Sequence, residues 1–188
     1  MRIISGIAKG KRIILPIDKK TRPLKDMVRE SIFNIIEHSD LLKLKLEKCY
    51  VLDLFSGVGS FGLEAISRGA KKVFFFENYE PASNLLLKNI GILSFKNKTK
   101  IYKKNIYADN CFKELKNKFN IVFLDPPFKE NKIKIILENL YSSKLIYSET
   151  LIIVHRHKKT LDNLDNKFKI KKEKIYGSSK ILFGFFNF

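Results

Sequence analysis

The sequence predicts an α/β fold: a mostly parallel sheet of seven strands with helices on both faces, a carboxyl-terminal antiparallel hairpin, and an amino-terminal hairpin and helix as an extension. Three observations carry this. From Cys49 onward, short apolar runs alternate with segments of helical period, a pattern that implies crossover connections and a parallel sheet. The last two strand-like runs are separated only by Gly177-Ser178-Ser179, too short for a crossover, so they pair antiparallel. The first forty residues lack the alternation, and 188 residues at 45% hydrophobic suffice for one sizeable core rather than two. Residues 1–40 are therefore expected to pack as an extension on a main domain spanning 41–188.

In chain order, two apolar runs, Arg2-Ile3-Ile4 and Arg12-Ile13-Ile14-Leu15, flank the turn-prone Ala8-Lys9-Gly10-Lys11 and read as a hairpin. After Thr21-Arg22-Pro23, the residues Met27, Val28, Ile32, Ile35 and Ile36 recur at helical spacing, which predicts a helix to about Ser39. The charged stretch Lys43 to Lys48 is a link. Tyr50 to Phe55 is a buried-strand run that enters a glycine-rich turn and then a helix over Phe61 to Arg68. Further strands are expected at Lys72 to Phe76, Thr99 to Lys103, Asn120 to Leu124, Glu149 to His155, Phe168 to Tyr176 and Lys180 to Phe188. Phe183, Phe185, Phe186 and Phe188 read as core packing, because alternate positions on a strand face inward.

Thirty-seven Lys and Arg against 19 Asp and Glu leave a formal charge of +18, which repels itself unless the surface meets a polyanion. Codon bias explains abundant Lys, but it would raise Glu as well, so nucleic acid is the expected partner. Cys49 and Cys111 have neither metal-ligand spacing nor a partner motif and are expected as buried free thiols. Met1-Arg2 leads directly into a strand-like pair rather than a secretory leader, and no apolar run is long enough to span a bilayer, so a reducing cytoplasm is the expected location. No exposed apolar seam suggests an oligomer, and a monomer is expected.

Two motifs carry chemistry. Gly57-Val58-Gly59-Ser60-Phe61-Gly62 is GxGxxG at a strand-to-helix turn, where glycines admit close ligand approach and the helix end offers free NH groups. Glu77 ends the next strand, twenty residues after Gly57 (77 − 57), placed to accept hydrogen bonds from ribose hydroxyls. A nicotinamide dinucleotide and S-adenosylmethionine both fit that much; a turn that binds nothing is the bland alternative. Asp53 at the first strand's tip favours S-adenosylmethionine, because a carboxylate repels a pyrophosphate but pairs with a methionine amine.

The second motif is Asp125-Pro126-Pro127-Phe128, following Ile121 to Leu124 at the carboxyl end of the fourth main strand, the edge where open parallel sheets bind ligands. Paired prolines can be merely a turn. A carboxylate, a rigid carbonyl and an aromatic ring beside a cofactor turn suit one task better: methylating an exocyclic base amine. That nitrogen is a poor nucleophile because its lone pair is delocalised into the ring. Asp125 and the Pro126 carbonyl can hold its two hydrogens while it pyramidalises, and proline offers no competing NH. Phe128 can stack the extruded base for roughly 1–3 kcal/mol. No metal is required. The four residues do not distinguish guanine from adenine N6 or cytosine N4, on DNA or RNA, and a non-catalytic RNA-binding assembly factor with the same fold is the rival from another class.

Met1-Arg2-Ile3-Ile4-Ser5-Gly6, Arg22-Pro23 followed by Asp26 to Asn34, and Gly62 to Gly69, together with the two motifs, resemble the bacterial 16S rRNA guanine-N2 methyltransferase family over essentially the whole chain. The resemblance implies a Rossmann-like class I methyltransferase fold and transfer from S-adenosylmethionine to a guanine N2 in small-subunit rRNA, leaving S-adenosylhomocysteine. It places Asp53, Phe55, Ser56, Gly57 and Gly59 around the methionine part, Glu77 and Asn78 at the ribose, Asn105 and Ile106 at the adenine, and Asp125 at both cofactor and substrate. This chain departs from the family at Tyr79 and Asn105, where acidic residues are usual, and at His155, where Glu is frequent.

For RNA contact the expected residues are Arg2, Lys9, Lys11 and Arg12 on the hairpin, with Arg22 and Arg29 near Pro23; either of the last two could instead pair with a carboxylate. His155, Arg156, His157, Lys158 and Lys159 read as an RNA-facing basic cluster rather than a metal site, since no third ligand is in view.

Overall fold

The structure, a computed structural model, describes residues 1–18, 23–108, 110–127, 132–161, 164 and 167–187. Seven strands form one sheet: β1 Tyr50–Leu54, β2 Lys72–Phe76, β3 Thr99–Tyr102, β4 Ile121–Leu124, β5 Leu151–His157, β6 Phe168–Tyr176 and β7 Ser179–Phe186. Their order is β3-β2-β1-β4-β5-β7-β6. The first five run parallel, and β7 runs antiparallel to both β5 and β6. The expected architecture is therefore present: β2 and β6 have the expected bounds, and no other strand end is displaced by more than two residues. Ser179 belongs to the last strand and pairs with Tyr176, so the terminal turn is Gly177-Ser178 alone.

Among the described residues, α1 Asp26–His38 precedes the sheet, and α2 Ser60–Ser67, α3 Glu80–Leu93 and α4 Ile133–Ser142 lie between strands. One sheet face packs against α1, α2 and α3, where Phe33, Phe61 and Phe123 stack with centroids 5.0 and 4.0 Å apart and tie α1 to α2 and α2 to β4. The opposite face packs against α4 and the loop around Phe112, with Phe76, Phe119, Leu137 and Phe186 at its centre. Strands covered on both sides carry continuous apolar runs, which is why β1, β2 and β4 do not alternate. β7 serves both faces: Phe183 and Phe185 join the first cluster and Phe186 the second. Phe188 lies outside the described residues. Cys49 and Cys111 are buried free thiols, and burial raises both above their ordinary value, Cys49 to about 11.

The amino-terminal segment differs from a regular hairpin. Its two arms meet at a single antiparallel bridge, Arg2 with Arg12, supported by the Ile3 amide on the Lys11 carbonyl at 2.9 Å. The reason lies in where its other backbone amides go. Ile4 and Ser5 donate to the two oxygens of Glu64 on α2, Ile7 to the Ser67 carbonyl, and Ala8 to the Ser67 hydroxyl. Gly6 turns at φ +81°, and a Cβ there would lie 1.8 Å from the Ser67 carbonyl oxygen, so the segment lies flat on α2 only with glycine. Ile3, Ala8, Ile13, Val28 and Phe33 share one apolar cluster with the sheet. Among the described residues, no helix is long and apolar enough to cross a membrane.

Candidate active site

Strand register creates the site. Leu54 lies opposite Phe76 and Leu124, and Leu124 lies opposite Val154. The next residues on β1, β2 and β4, Phe55, Glu77 and Asp125, therefore emerge together at the carboxyl edge, and His155, still inside β5, lies level with them. Chain direction around the sheet reverses between β1 and β4, and the crevice at such a reversal is where α/β sheets bind ligands.

The turn after β1 is wound through left-handed conformations at Phe55 (φ 60°), Gly57 (φ 54°) and Gly59 (φ 84°), the last being the residue before α2. Holding a phenylalanine there costs of order 1 kcal/mol or more. The Gly57 amide donates to one Glu77 oxygen at 2.7 Å and the Tyr79 amide to the other at 2.8 Å. Each oxygen keeps further lone-pair capacity, so the carboxylate is fixed in orientation and still able to accept hydroxyls. The Ser56 hydroxyl lies 2.8 Å from the Asp53 carbonyl and 3.0 Å from that of Phe76, pinning the turn to both strands. At Gly62 an added Cβ would meet the Phe75 ring at 2.3 Å, so this glycine sets how closely α2 packs on β2.

Asp53 sits differently from expectation. Its side chain is 1% exposed, accepts the Gly62 amide at 3.0 Å, and lies behind the turn rather than among the cleft-lining groups. Burial drives its pKa well above the carboxylate range against the Gly62 hydrogen bond, and the charges of Asp125 and Glu77 push the same way. It anchors the start of α2 and does not line the cleft where the sequence reading expected it to meet a methionine amine.

Two cavities adjoin along the edge. One, of about 390 Å³, lies between the turn at Ser56 and Gly57 and the loop Asp125-Pro126-Pro127. The other, of about 280 Å³, is bounded by Asn105, Ile106 and Tyr107. Phe55, Glu77, Asn78 and Pro127 line both. The result is an elongated cleft with the Glu77 carboxylate at its middle and the Asp125 carboxylate at one end, in an otherwise strongly basic protein. That donor set fits a ribose at Glu77 with a cationic group toward Asp125, and it disfavours a pyrophosphate.

Asp125 follows β4 with its amide on the Leu54 carbonyl at 3.3 Å. Its Oδ1 lies 2.7 Å from His155 Nδ1, and His155 Nε2 lies 2.9 Å from Ser179 Oγ. Arg156 Nη1 donates to the Pro127 carbonyl at 3.1 Å. Both His155 and Arg156 are buried, at 3% and 0% exposed, so they brace the Asp-Pro-Pro loop instead of forming the RNA-facing cluster read from the sequence. The missed signal was positional: β5 is an interior strand, and charge on an interior strand must find buried partners. Phe128 lies outside the described residues. Among those described, no group of three or more His, Cys, Asp and Glu is placed to hold a metal ion.

A family model described as "Conserved hypothetical protein 95" matches residues 1–185. The chain belongs to this family. A relative from Buchnera aphidicola, named ribosomal RNA small subunit methyltransferase D, is 33% identical over 177 residues, covering 93% of this chain and 86% of the relative. A solved Escherichia coli structure, yhhF, which carries a methyltransferase description, matches with a TM-score of 0.79 at 27% identity, over 100% of this chain and 98% of that one. An RNA methyltransferase from Salinibacter ruber, solved with S-adenosyl-L-homocysteine, shares the fold with a TM-score of 0.64 at 14% identity, over 88% of this chain and 94% of that one. The family is the one that the motifs resemble, its fold is Rossmann-like, and its chemistry is S-adenosylmethionine-dependent methyl transfer.

In this methyltransferase the basic residues expected to meet RNA divide. Arg2, Lys9, Lys11 and Arg12 are exposed on the amino-terminal segment. Arg29 is fully buried: its guanidinium donates to the Arg2 carbonyl and to Asp26, and Nε lies 3.5 Å from Glu64. Burial lowers its pKa, with Glu64 and Asp26 pulling the other way. It holds the extension down, which corrects the RNA-contact reading and matches the carboxylate-pairing alternative. Arg22 lies outside the described residues.

Proposed function

We propose that this chain transfers a methyl group from S-adenosylmethionine to the exocyclic N2 of a guanine in 16S ribosomal RNA. The observation that carries amino-group methylation is that Asp125-Pro126-Pro127 opens on the same cleft as Glu77 and the glycine turn. The guanine assignment rests on the resemblance at Met1 to Gly6 and Arg22 to Asn34, and on the name of the Buchnera relative.

In this reading Glu77 accepts the ribose hydroxyls, Ser56 and Gly57 border the methionine end, and Asn105 and Ile106 border the adenine. When bound, the cofactor supplies an electrophilic methyl on a positively charged sulfur. The Asp125 carboxylate and the Pro126 carbonyl accept the two amino hydrogens of the base, and Phe128 stacks its ring. Held in this way, the base nitrogen would take up the methyl, and the sulfur of a bound cofactor would keep the electron pair of the bond given up. The nitrogen then sheds one proton through Asp125 to solvent. Orientation and electrostatic complementarity supply most of the acceleration, since among the described residues the groups placed at the reacting nitrogen are a carboxylate and a carbonyl rather than a strong base. Pro23 and Leu24 line the cleft, so the amino-terminal extension reaches the point where RNA would enter.

The test is incubation with methyl-labelled S-adenosylmethionine and small-subunit rRNA, free or in assembled subunits, from a strain lacking this modification, followed by nucleoside analysis. Label is expected in N2-methylguanosine. Label in N6-methyladenosine or N4-methylcytidine would replace guanine with those bases. Folded, cofactor-bound protein that labels nothing would sink the enzymatic reading. Asp125→Ala is expected to abolish transfer while calorimetry still detects cofactor binding.

A further inference from the structure

The Asp125 carboxylate is 16% exposed at the cleft, and free rotation of its side chain would offer the substrate no fixed acceptor. Its Oδ1 is held by His155 Nδ1 at 2.7 Å, and the imidazole is held from its far side by Ser179 Oγ at 2.9 Å. The three groups come from three different elements: the end of β4, the interior of β5 and the start of β7. The imidazole side chain is only 4% exposed, so it reaches neither bulk water nor RNA. A buried imidazole is costly unless both ring nitrogens are hydrogen-bonded, and a valine or isoleucine would fill an interior strand position without that requirement. The arrangement therefore serves the carboxylate more than the core.

Donor and acceptor roles follow from chemistry. A carboxylate has no hydrogen to give, so Nδ1 carries the hydrogen and donates to Oδ1, while the Ser179 hydroxyl donates to Nε2. Oδ2 is then the oxygen left for the substrate amine. We infer that His155, oriented by Ser179, is a positioning residue for methyl transfer: it locks one oxygen of Asp125 so that the other meets the base amine in a fixed direction. This rests on the methyltransferase reading above. Arg156 does the corresponding work for the backbone of the same loop, by binding the Pro127 carbonyl at 3.1 Å.

The experiment compares wild type with His155→Gln and His155→Asn. The Asn amide falls near the position of Nδ1 and keeps the bond to Asp125; the Gln amide falls near Nε2, keeping Ser179 and losing Asp125. For His155→Gln, kcat is expected to fall by about 10²-fold, the scale of a misplaced catalytic group, with KM for RNA and Kd for the cofactor unchanged. His155→Asn is expected to recover most of the turnover. Wild-type kcat in His155→Gln, or equal losses in both variants accompanied by weaker cofactor binding and lower Tm, overturns the inference in favour of a packing role. A second readout does not depend on activity. With only three histidines in the chain, ¹⁵N NMR of labelled imidazole resolves the tautomer. The Nδ1–H form is expected for His155, shifting in Asp125→Ala, and a neutral Nε2–H form overturns the inference. Should the wild type methylate no RNA, the proposed function fails, and the tautomer alone decides whether His155 holds Asp125.

Discussion

Asp53 on β1 and Asp125 just past the end of β4 lie two register steps apart, yet they do different work because their surroundings differ. Asp125 keeps a face to the cleft; Asp53 is sealed behind the glycine turn with the Gly62 amide as its partner. Burial raises the Asp53 pKa well above its ordinary 3.8, reinforced by the nearby Asp125 and Glu77 charges. A folded-state pKa above the unfolded one means that the native state holds this proton more tightly. Its contribution to stability is therefore full below the unfolded pKa and is lost as pH rises through the raised folded value. Asp53→Asn removes the titration and keeps an oxygen for Gly62. Relative to the variant, the wild type is expected to lose unfolding free energy steadily from pH 4 upward, as measured by urea denaturation at a series of pH values. A difference that does not vary with pH would show that Asp53 carries no such penalty.

At the scale of elements, the docking of the amino-terminal segment on α2 depends on one buried carboxylate. Glu64 accepts the amides of Ile4 and Ser5 and the Arg68 Nε at 2.8, 2.9 and 2.8 Å, and faces Arg29 at 3.5 Å. Glu64→Ala leaves two backbone amides and the fully buried Arg29 without that counter-charge, so a loss of about 3–5 kcal/mol is expected in urea or thermal unfolding. A loss under about 1 kcal/mol, the level of a surface ion pair, would show that the Glu64 contacts are not structural. That Arg29 might pair with a carboxylate was one of two readings of the sequence; that the carboxylate is Glu64, and that it anchors the amino-terminal segment, was not legible. Glu64 looked like part of a family motif and Arg29 like a possible RNA ligand, because the partners lie 35 residues apart (64 − 29) on helices whose packing only the fold reveals. The strands themselves were legible, since apolar runs broken by Gly, Pro and charge mark them directly. So was the Glu77 and Asp125 edge, because both residues end strands whose neighbours share a register. The burial of His155 and Arg156 was not, because it follows from β5 being an interior strand, a property of sheet order rather than of local pattern.

The whole molecule combines an acidic cleft with a surface of formal charge +18, an arrangement that separates two tasks. In the proposed function the surface would gather a polyanion without reading its sequence, while the cleft carboxylates would hold a cationic cofactor and an amine. The exposed Lys9, Lys11 and Arg12 ride on a segment anchored to the same helix, α2, whose amino end closes the cofactor turn. Binding by such residues proceeds through counterion release, so affinity falls as salt rises, with a slope of about 0.7 per phosphate neutralised on single strands. The triple substitution Lys9→Ala, Lys11→Ala and Arg12→Ala is expected to weaken rRNA binding, to flatten the plot of log affinity against log salt by about 0.7 for each contact removed, and to raise KM for RNA. Cofactor Kd and kcat at saturating RNA are expected to stay at wild-type values, because none of the three residues lines the cleft. Fluorescence-anisotropy titrations from low to moderate salt measure the slope, and an unchanged slope would move the RNA-binding face to another part of the basic surface.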